Sequence, residues 1–170
     1  MPPAPPPIRD LFADDARPLR LDLGCGLGAA ARGWASDSTK NVLGVDASRS
    51  IVQACAARAK RDKCGDNLAY VAADALSILA AAAAYVGPLE AIAVQHPTPP
   101  NTRGALDWIL APDVADAARD ALAPGGVLAV ETRSERAAEA AREGLATAGF
   151  SLVSDAWPLP ANARSETGGA

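Results

Sequence analysis

Asp22-Leu23-Gly24-Cys25-Gly26-Leu27-Gly28 sets a carboxylate two residues ahead of three alternate glycines. Glycines at such a turn let the backbone fold sharply and approach a ligand without a Cβ clash, and a helix that follows supplies donors. Gly24, Gly26 and Ala29 also satisfy the G-x-G-x-x-A pattern of nicotinamide cofactors. Asp22 separates the two chemistries, because a carboxylate repels a pyrophosphate and attracts an ammonium. S-adenosylmethionine carries an ammonium and a sulfonium and no phosphate. Asp46 follows Gly24 by 22 positions, where an acid can accept both hydroxyls of a ribose. Asp74, after Ala73, adds a carboxylate able to accept from an adenine amino group, which dinucleotide folds do not require. The cofactor-facing set is therefore Asp22, Gly24, Cys25, Gly26, Gly28, Asp46, Ala47, Ala73, Asp74 and Gln95. A nicotinamide cofactor, or an α/β sheet with incidental glycines and acids, are the other readings.

These residues need strands that end beside one another. Leu19–Leu23, Asn41–Asp46, Asn67–Ala72, Leu89–Gln95 and Val127–Glu131 are short apolar runs that read as strands, with Phe150–Val153 as a sixth. Gly28–Ala35, Ser48–Arg61, Asp74–Val86, Leu106–Leu122 and Ser134–Ala148 read as the helices between them, Ser48 being placed to cap the second. Strands alternating with helices imply right-handed crossovers and a mostly parallel, doubly wound α/β sheet of Rossmann type. In such a sheet the ligand sits beyond the carboxyl ends of the strands, where the glycine turn, Asp46 and Asp74 all fall.

Composition narrows the rest. The chain has 170 residues, and 41 of its 84 apolar residues are alanine, so Leu, Val and Ile at selected positions must supply the core. That length predicts one domain. Residues 1–17 read as a proline-rich, solvated tail, 18–160 as the cofactor-binding domain, and 161–170 as a disordered end. A net charge of −4 argues against binding nucleic acid through a globally basic surface. Three unclustered cysteines and one histidine make no metal-ligand pattern, so no metal is expected, and they suit a reducing compartment. No run is long enough for a membrane span, and Met1–Pro7 lacks the pattern of a signal peptide; the expected compartment is the cytoplasm.

The motifs Leu21–Gly28, Val42–Asp46, Ala73-Asp74 and Leu122–Leu128 occur in the order shown by class I S-adenosylmethionine-dependent methyltransferases, and the chain resembles them from about Leu19 to Val153. Beyond the fourth strand it is most similar to the tRNA (guanine-N7-)-methyltransferase family, whose F-P-D-P-W step aligns Pro97 and Pro99 with Gln95 just before the aromatic position. The family's late T-K-F-E-x-R-G can be laid on Ala163–Gly169, matching Arg164, Glu166 and Gly169. This resemblance implies a tRNA guanine as substrate, Thr98 as a catalytic candidate, and Arg103, Arg133, Arg164 and Glu166 as substrate-binding candidates. His96, the lone histidine, sits beyond the fourth strand where a catalytic base or substrate-orienting group would, and is the other catalytic candidate. Thr98 stands where the family has an acid, Pro100 replaces its aromatic, and its basic run is reduced to Arg103. A small-molecule acceptor is therefore the first alternative, and a non-catalytic cofactor- or partner-binding relic the second. The fold of the resembling family closes with an antiparallel seventh strand; no apolar run after Val153 supplies one, so the sheet is expected to lack it and its C-terminal edge to be mobile. Trp34, Trp108 and Trp157 read as packing residues, and Cys25 as a small packing residue within the turn.

Overall fold

A computed structural model describes residues 4–97 and 108–153. Five strands, β1 (Leu19–Leu23), β2 (Asn41–Asp46), β3 (Leu68–Ala72), β4 (Leu89–Gln95) and β5 (Val127–Glu131), form one sheet in the order β3-β2-β1-β4-β5. Every pairing is parallel. Five helices connect or follow them: α1 (Ala29–Trp34), α2 (Arg49–Arg61), α3 (Ala75–Ala82), α4 (Pro112–Ala121) and α5 (Glu135–Thr147). The order reverses between β3 and β4, so β1 lies at the switch point where open α/β sheets bind ligands. The doubly wound Rossmann-like fold expected from the alternation is the fold observed.

Alternation along β1 divides the two faces. Leu19, Leu21 and Leu23 enter the larger core with Leu43, Ile78, Leu79, Ile92, Val94 and Val114. The opposite face holds a smaller core of Ala30, Ala31, Trp34, Ala35, Val42, Ala91 and Ala93 beneath α1. The alanines therefore have a structural use: on this face they let α1 lie close to the strands, while Trp34 and Val42, with Leu68, Tyr70 and Val127 at the margin, contribute the bulk. Trp34 and Trp108 are both buried, as packing residues should be, and Trp157 lies outside the described residues.

Local chemistry sets the element ends. Ser48, Asp74 and Ser134 cap α2, α3 and α5 by accepting from the amides of Ile51, Ser77 and Ala137. Asp74 is thus a cap rather than the first residue of a helix that was expected to reach Val86; α3 ends at Ala82. Of the expected helix Leu106–Leu122, residues 106 and 107 lie outside the described residues, and Trp108–Leu110 form a turn. Pro112 takes the first turn of α4 and keeps Ala111, the residue ahead of it, out of helical backbone.

Two expectations need correction. Phe150–Val153 is not a strand. The Gly149 and Phe150 amides fold back onto the Ala146 and Leu145 carbonyls, with Gly149 at φ +87°, so these residues finish α5 and leave Leu152 and Val153 exposed. Residues 4–17 are not uniformly a solvated tail either. Ile8–Leu11 form a 3-10 turn, and Ile8 and Phe12 are buried in the larger core, Phe12 edge-on to Tyr85. Residues 161–170, and any closing strand after Val153, lie outside the described residues. Among the described residues no helix is long and apolar enough to cross a membrane.

Candidate cofactor site

The glycine turn leaves β1 and enters α1 with Gly24, Gly26 and Gly28 at φ +73°, +50° and +68°. All three lie in the left-handed region that L side chains rarely adopt, so the spacing read from the sequence answers a backbone requirement. The Gly24 and Cys25 amides both donate to the Val45 carbonyl at 2.8 Å, pinning the start of the turn to β2. A Cβ on Gly26 would meet nothing within 4 Å, so that side of the turn faces open space.

Asp46 ends β2 and joins the turn. Its carboxylate accepts from the Gly26 amide at 3.2 Å and from the Ser48 amide at 2.9 Å. A carboxylate offers about four lone-pair directions, so acceptor capacity remains on both oxygens. Asp74 is similarly placed at the end of β3: it accepts from the Ser77 amide at 2.8 Å and the Ser77 hydroxyl at 2.7 Å, and those two bonds hold its carboxyl below the usual carboxylate range. Ala73 is buried beside it, its amide donating to the Asp46 carbonyl, while Ala47 is exposed.

Asp22 is the anomaly. It lies in register between Gly44 of β2 and Ala93 of β4, and it is 1% exposed. Neither carboxylate oxygen has a hydrogen-bond partner. Burial drives its pKa from 3.8 to about 7; the nearby Ala31 amide opposes the rise and the Asp46 charge adds to it. A buried, unpartnered carboxylate is costly unless something cationic completes it. It fits an ammonium and repels a phosphate, so the donor set suits the amino-acid end of S-adenosylmethionine better than a dinucleotide.

At the carboxyl ends of β4 and β5, the Gln95 Nε2 donates to Glu131 Oε2 at 3.3 Å, and the His96 amide donates to the Glu131 carbonyl at 2.6 Å. His96 sits at φ +50°, an uncommon conformation for a non-glycine residue. Sequence reasoning missed Glu131, treating it only as the last residue of a strand; its signal was a charge at the carboxyl end of a strand one removed from the switch point. It also missed Tyr70, whose hydroxyl donates to the Gly28 carbonyl at 3.1 Å. The signal there was Gly44 inside a strand, which marks a close approach by something else. Tyr70 is its partner in the β2–β3 register, and a Cβ on Gly44 would lie 2.5 Å from the Tyr70 ring.

The turn, Asp46 and Asp74 thus lie near one another at the carboxyl ends of adjacent strands, with Asp22 buried in β1 beneath the turn and Gln95 and His96 one strand further along. Cys25 is buried, and burial raises its thiol pKa, which suits a packing residue rather than a nucleophile. Arg133 is exposed in the turn before α5. Thr98, Arg103, Arg164 and Glu166 lie outside the described residues. No group of three or more potential metal ligands occurs among the described residues.

Residues 16–167 match the sequence profile of the family described as "Putative methyltransferase". That span is most of the chain, and the chain belongs to this methyltransferase family. A search of curated proteins finds no match. Among solved structures, the chain is similar to the [4+2]-cyclase SpnF (21% identity, TM-score 0.61, 86% of this chain and 57% of that one). It is similar also to the aminoglycoside resistance methyltransferase NpmB1 (23%, 0.57, 86% and 69%). A third is Haemonchus contortus phosphoethanolamine N-methyltransferase 2, solved in complex with S-adenosyl-L-methionine (20%, 0.50, 87% and 32%). The chain therefore spans little more than half of the cyclase and a third of the N-methyltransferase. At these identities the likeness establishes the fold, and the first of the three shows that the fold also serves a [4+2]-cyclase.

Proposed function

We propose that the protein is an S-adenosylmethionine-dependent methyltransferase whose acceptor is a tRNA guanine, at N7. The observation that carries the cofactor is Asp22: a buried carboxylate with two unpartnered oxygens, under a glycine turn and beside Asp46. In this reading Asp22 takes the ammonium side, and Gly24, Gly26 and Gly28 allow close backbone approach with Cys25 packed behind them. Asp46 with Ala47 takes the ribose, and Ala73 with Asp74 the adenine. When bound, the cofactor supplies an electrophilic methyl group on a sulfonium.

The acceptor is supported by the motif resemblance: Pro97 and Pro99 after β4, and Arg164 and Glu166 near the end of the chain. N7 of guanine is a nucleophile with its own lone pair, so the residues around it need to align it more than to deprotonate it. In this reading His96 and Gln95 align it and Thr98 stands in the P-x-P step, a role supported for Gln95 by its hydrogen bond to Glu131. Arg103, Arg133, Arg164 and Glu166 are the remaining substrate contacts of this reading. A small-molecule acceptor is the second reading, favoured by the net charge of −4 and by a single arginine where a basic run would bind phosphates.

Isothermal titration with S-adenosylmethionine tests the cofactor. Wild type should bind, and Asp46→Ala should bind roughly ten- to a hundredfold more weakly, the range expected for losing hydrogen bonds to a charged acceptor. No binding by wild type would end the cofactor assignment. Transfer of tritiated methyl to bulk tRNA, with 7-methylguanosine identified after nuclease digestion, tests the acceptor. Cofactor binding with no transfer would favour a small-molecule acceptor or a non-catalytic role.

A further inference from the structure

Three consecutive carbonyls of the glycine turn are each taken by a side chain from a different element. The Gly26 carbonyl accepts from Cys55 Sγ of α2 at 3.2 Å, with Cys25 Sγ more distant at 3.9 Å. The Leu27 carbonyl accepts from Arg32 Nη1 of α1 at 2.9 Å. The Gly28 carbonyl accepts from the Tyr70 hydroxyl of β3 at 3.1 Å. Because each peptide unit is planar, anchoring a carbonyl also aims the amide on its far side. Three anchored planes in a row leave the turn little freedom, although glycine is the residue that would otherwise give it most.

The packing around these donors is specific to them. A Cβ on Gly28 would lie 2.7 Å from the Tyr70 hydroxyl and 3.0 Å from Cys55 Sγ, so a glycine there makes room for both donors. Gly44 makes room for the Tyr70 ring, and the ring in turn crosses β2 to reach the turn. Arg32 is held from its other side by Asp62 at 3.9 Å. Neither Gly44 nor Tyr70 belongs to the glycine motif, yet together they govern its shape.

We infer that Tyr70, Cys55 and Arg32 are positioning residues that pre-form the glycine turn for the cofactor, by holding its three carbonyls before any ligand arrives. The inference rests on the cofactor reading above for what the turn receives, but the shape of the free turn can be measured without it. Without these donors the turn samples other conformations, and the cofactor's apparent affinity falls with the fraction that remains competent.

The experiment uses the full chain. Amide hydrogen exchange is followed in the ligand-free protein for wild type, Tyr70→Phe, Cys55→Ala, the Tyr70→Phe/Cys55→Ala double variant and Cys55→Ser. The Gly26 and Gly28 amides, which border or belong to the anchored planes and donate to the Asp46 carboxylate and the Cys25 carbonyl, should exchange roughly two- to tenfold faster in each donor-loss single variant, the equivalent of one hydrogen bond, and faster again in the double variant. Strand amides of β1 and β4 should keep their rates, and Cys55→Ser, which retains an O–H donor, should return toward wild type. Titration with S-adenosylmethionine should show weaker binding by the double variant, by roughly threefold or more. Unchanged turn exchange, or acceleration spread equally over the whole sheet, overturns the inference. Faster turn exchange with wild-type affinity overturns it too, since the donors would then stabilise the turn without serving the ligand. If wild type binds no S-adenosylmethionine, the cofactor reading fails, while the exchange rates still decide whether these side chains shape the turn.

Discussion

Replacing Asp22 by Asn removes one negative charge from a site where nothing neutralises it, at almost constant volume. The folded-state pKa of about 7 stands above the ordinary 3.8, so the folded protein holds this proton more tightly than the unfolded chain. Stability from this group is therefore fully present below about pH 4, falls as pH rises toward 7, and levels off above it. The full loss corresponds to about 4 kcal/mol, at about 1.4 kcal/mol per tenfold change in proton affinity. Roughly 2–3 kcal/mol of it falls between pH 5 and pH 8. Asn does not titrate, so every other ionisable group cancels when the two proteins are compared. Urea denaturation of wild type and Asp22→Asn at pH 5, 6, 7 and 8 should show the variant gaining roughly 2–3 kcal/mol on wild type across that range. In thermal melts the same gain is roughly 5–10 °C for a chain of this length. Saturating S-adenosylmethionine at pH 8 should reverse the order, because an ammonium beside Asp22 neutralises the charge in wild type and has no counter-charge in the variant. Parallel pH curves for the two proteins would refute the claim that Asp22 is a buried and unpartnered carboxylate.

Two further substitutions probe the frame of the site. Gly44→Ala drives a methyl into the Tyr70 ring and should destabilise the fold by roughly 1–3 kcal/mol, read by urea denaturation; adding Tyr70→Ala, which clears the ring, should recover part of that loss. Asn67 is buried, and its amide nitrogen donates to the carbonyls of Ala35, Asp37 and Lys40 at 3.0, 3.2 and 2.9 Å, tying down the link from α1 to β2. Asn67→Ala leaves those carbonyls short of a donor and should cost roughly 1–3 kcal/mol in the same assay, whereas an unchanged midpoint would mean water replaces the amide without loss.

What the sequence determined by itself is the part governed by local rules. Short apolar runs located five strands, and Ser48 capped its helix as its side-chain chemistry requires. The three glycines of the turn fall at left-handed φ values that only local backbone sterics dictate. The acids at positions 22, 46 and 74 could be read together because each lies at or near the carboxyl end of a strand, and in a parallel sheet those ends lie side by side. The sixth strand failed because an apolar run shows β propensity and not whether a neighbour exists; the fold instead spent the Phe150 amide on closing α5. Ile8 and Phe12 escaped notice because isolated apolar residues after a proline run carry no period, and only packing in the cluster that holds Ala82 and Tyr85 makes them core.

Tertiary structure alone decided the electrostatics of the site. Asp22 is an ordinary acid in the sequence; it becomes a proton-holding group near pH 7 because the assembled sheet buries it between Gly44 and Ala93, a burial that the nearby Ala31 amide offsets only in part. Tyr70 and Cys55 lie 42 and 29 positions from the carbonyls they hold, and no spacing rule relates them to the turn, whereas Arg32 reaches back only five residues from α1. Their role depends on strand register and helix packing, which bring together residues that share no local pattern. Backbone geometry at a turn is a short-range property and is written in neighbouring residues; desolvation and the pairing of buried polar groups are long-range, and exist only once the sheet has assembled.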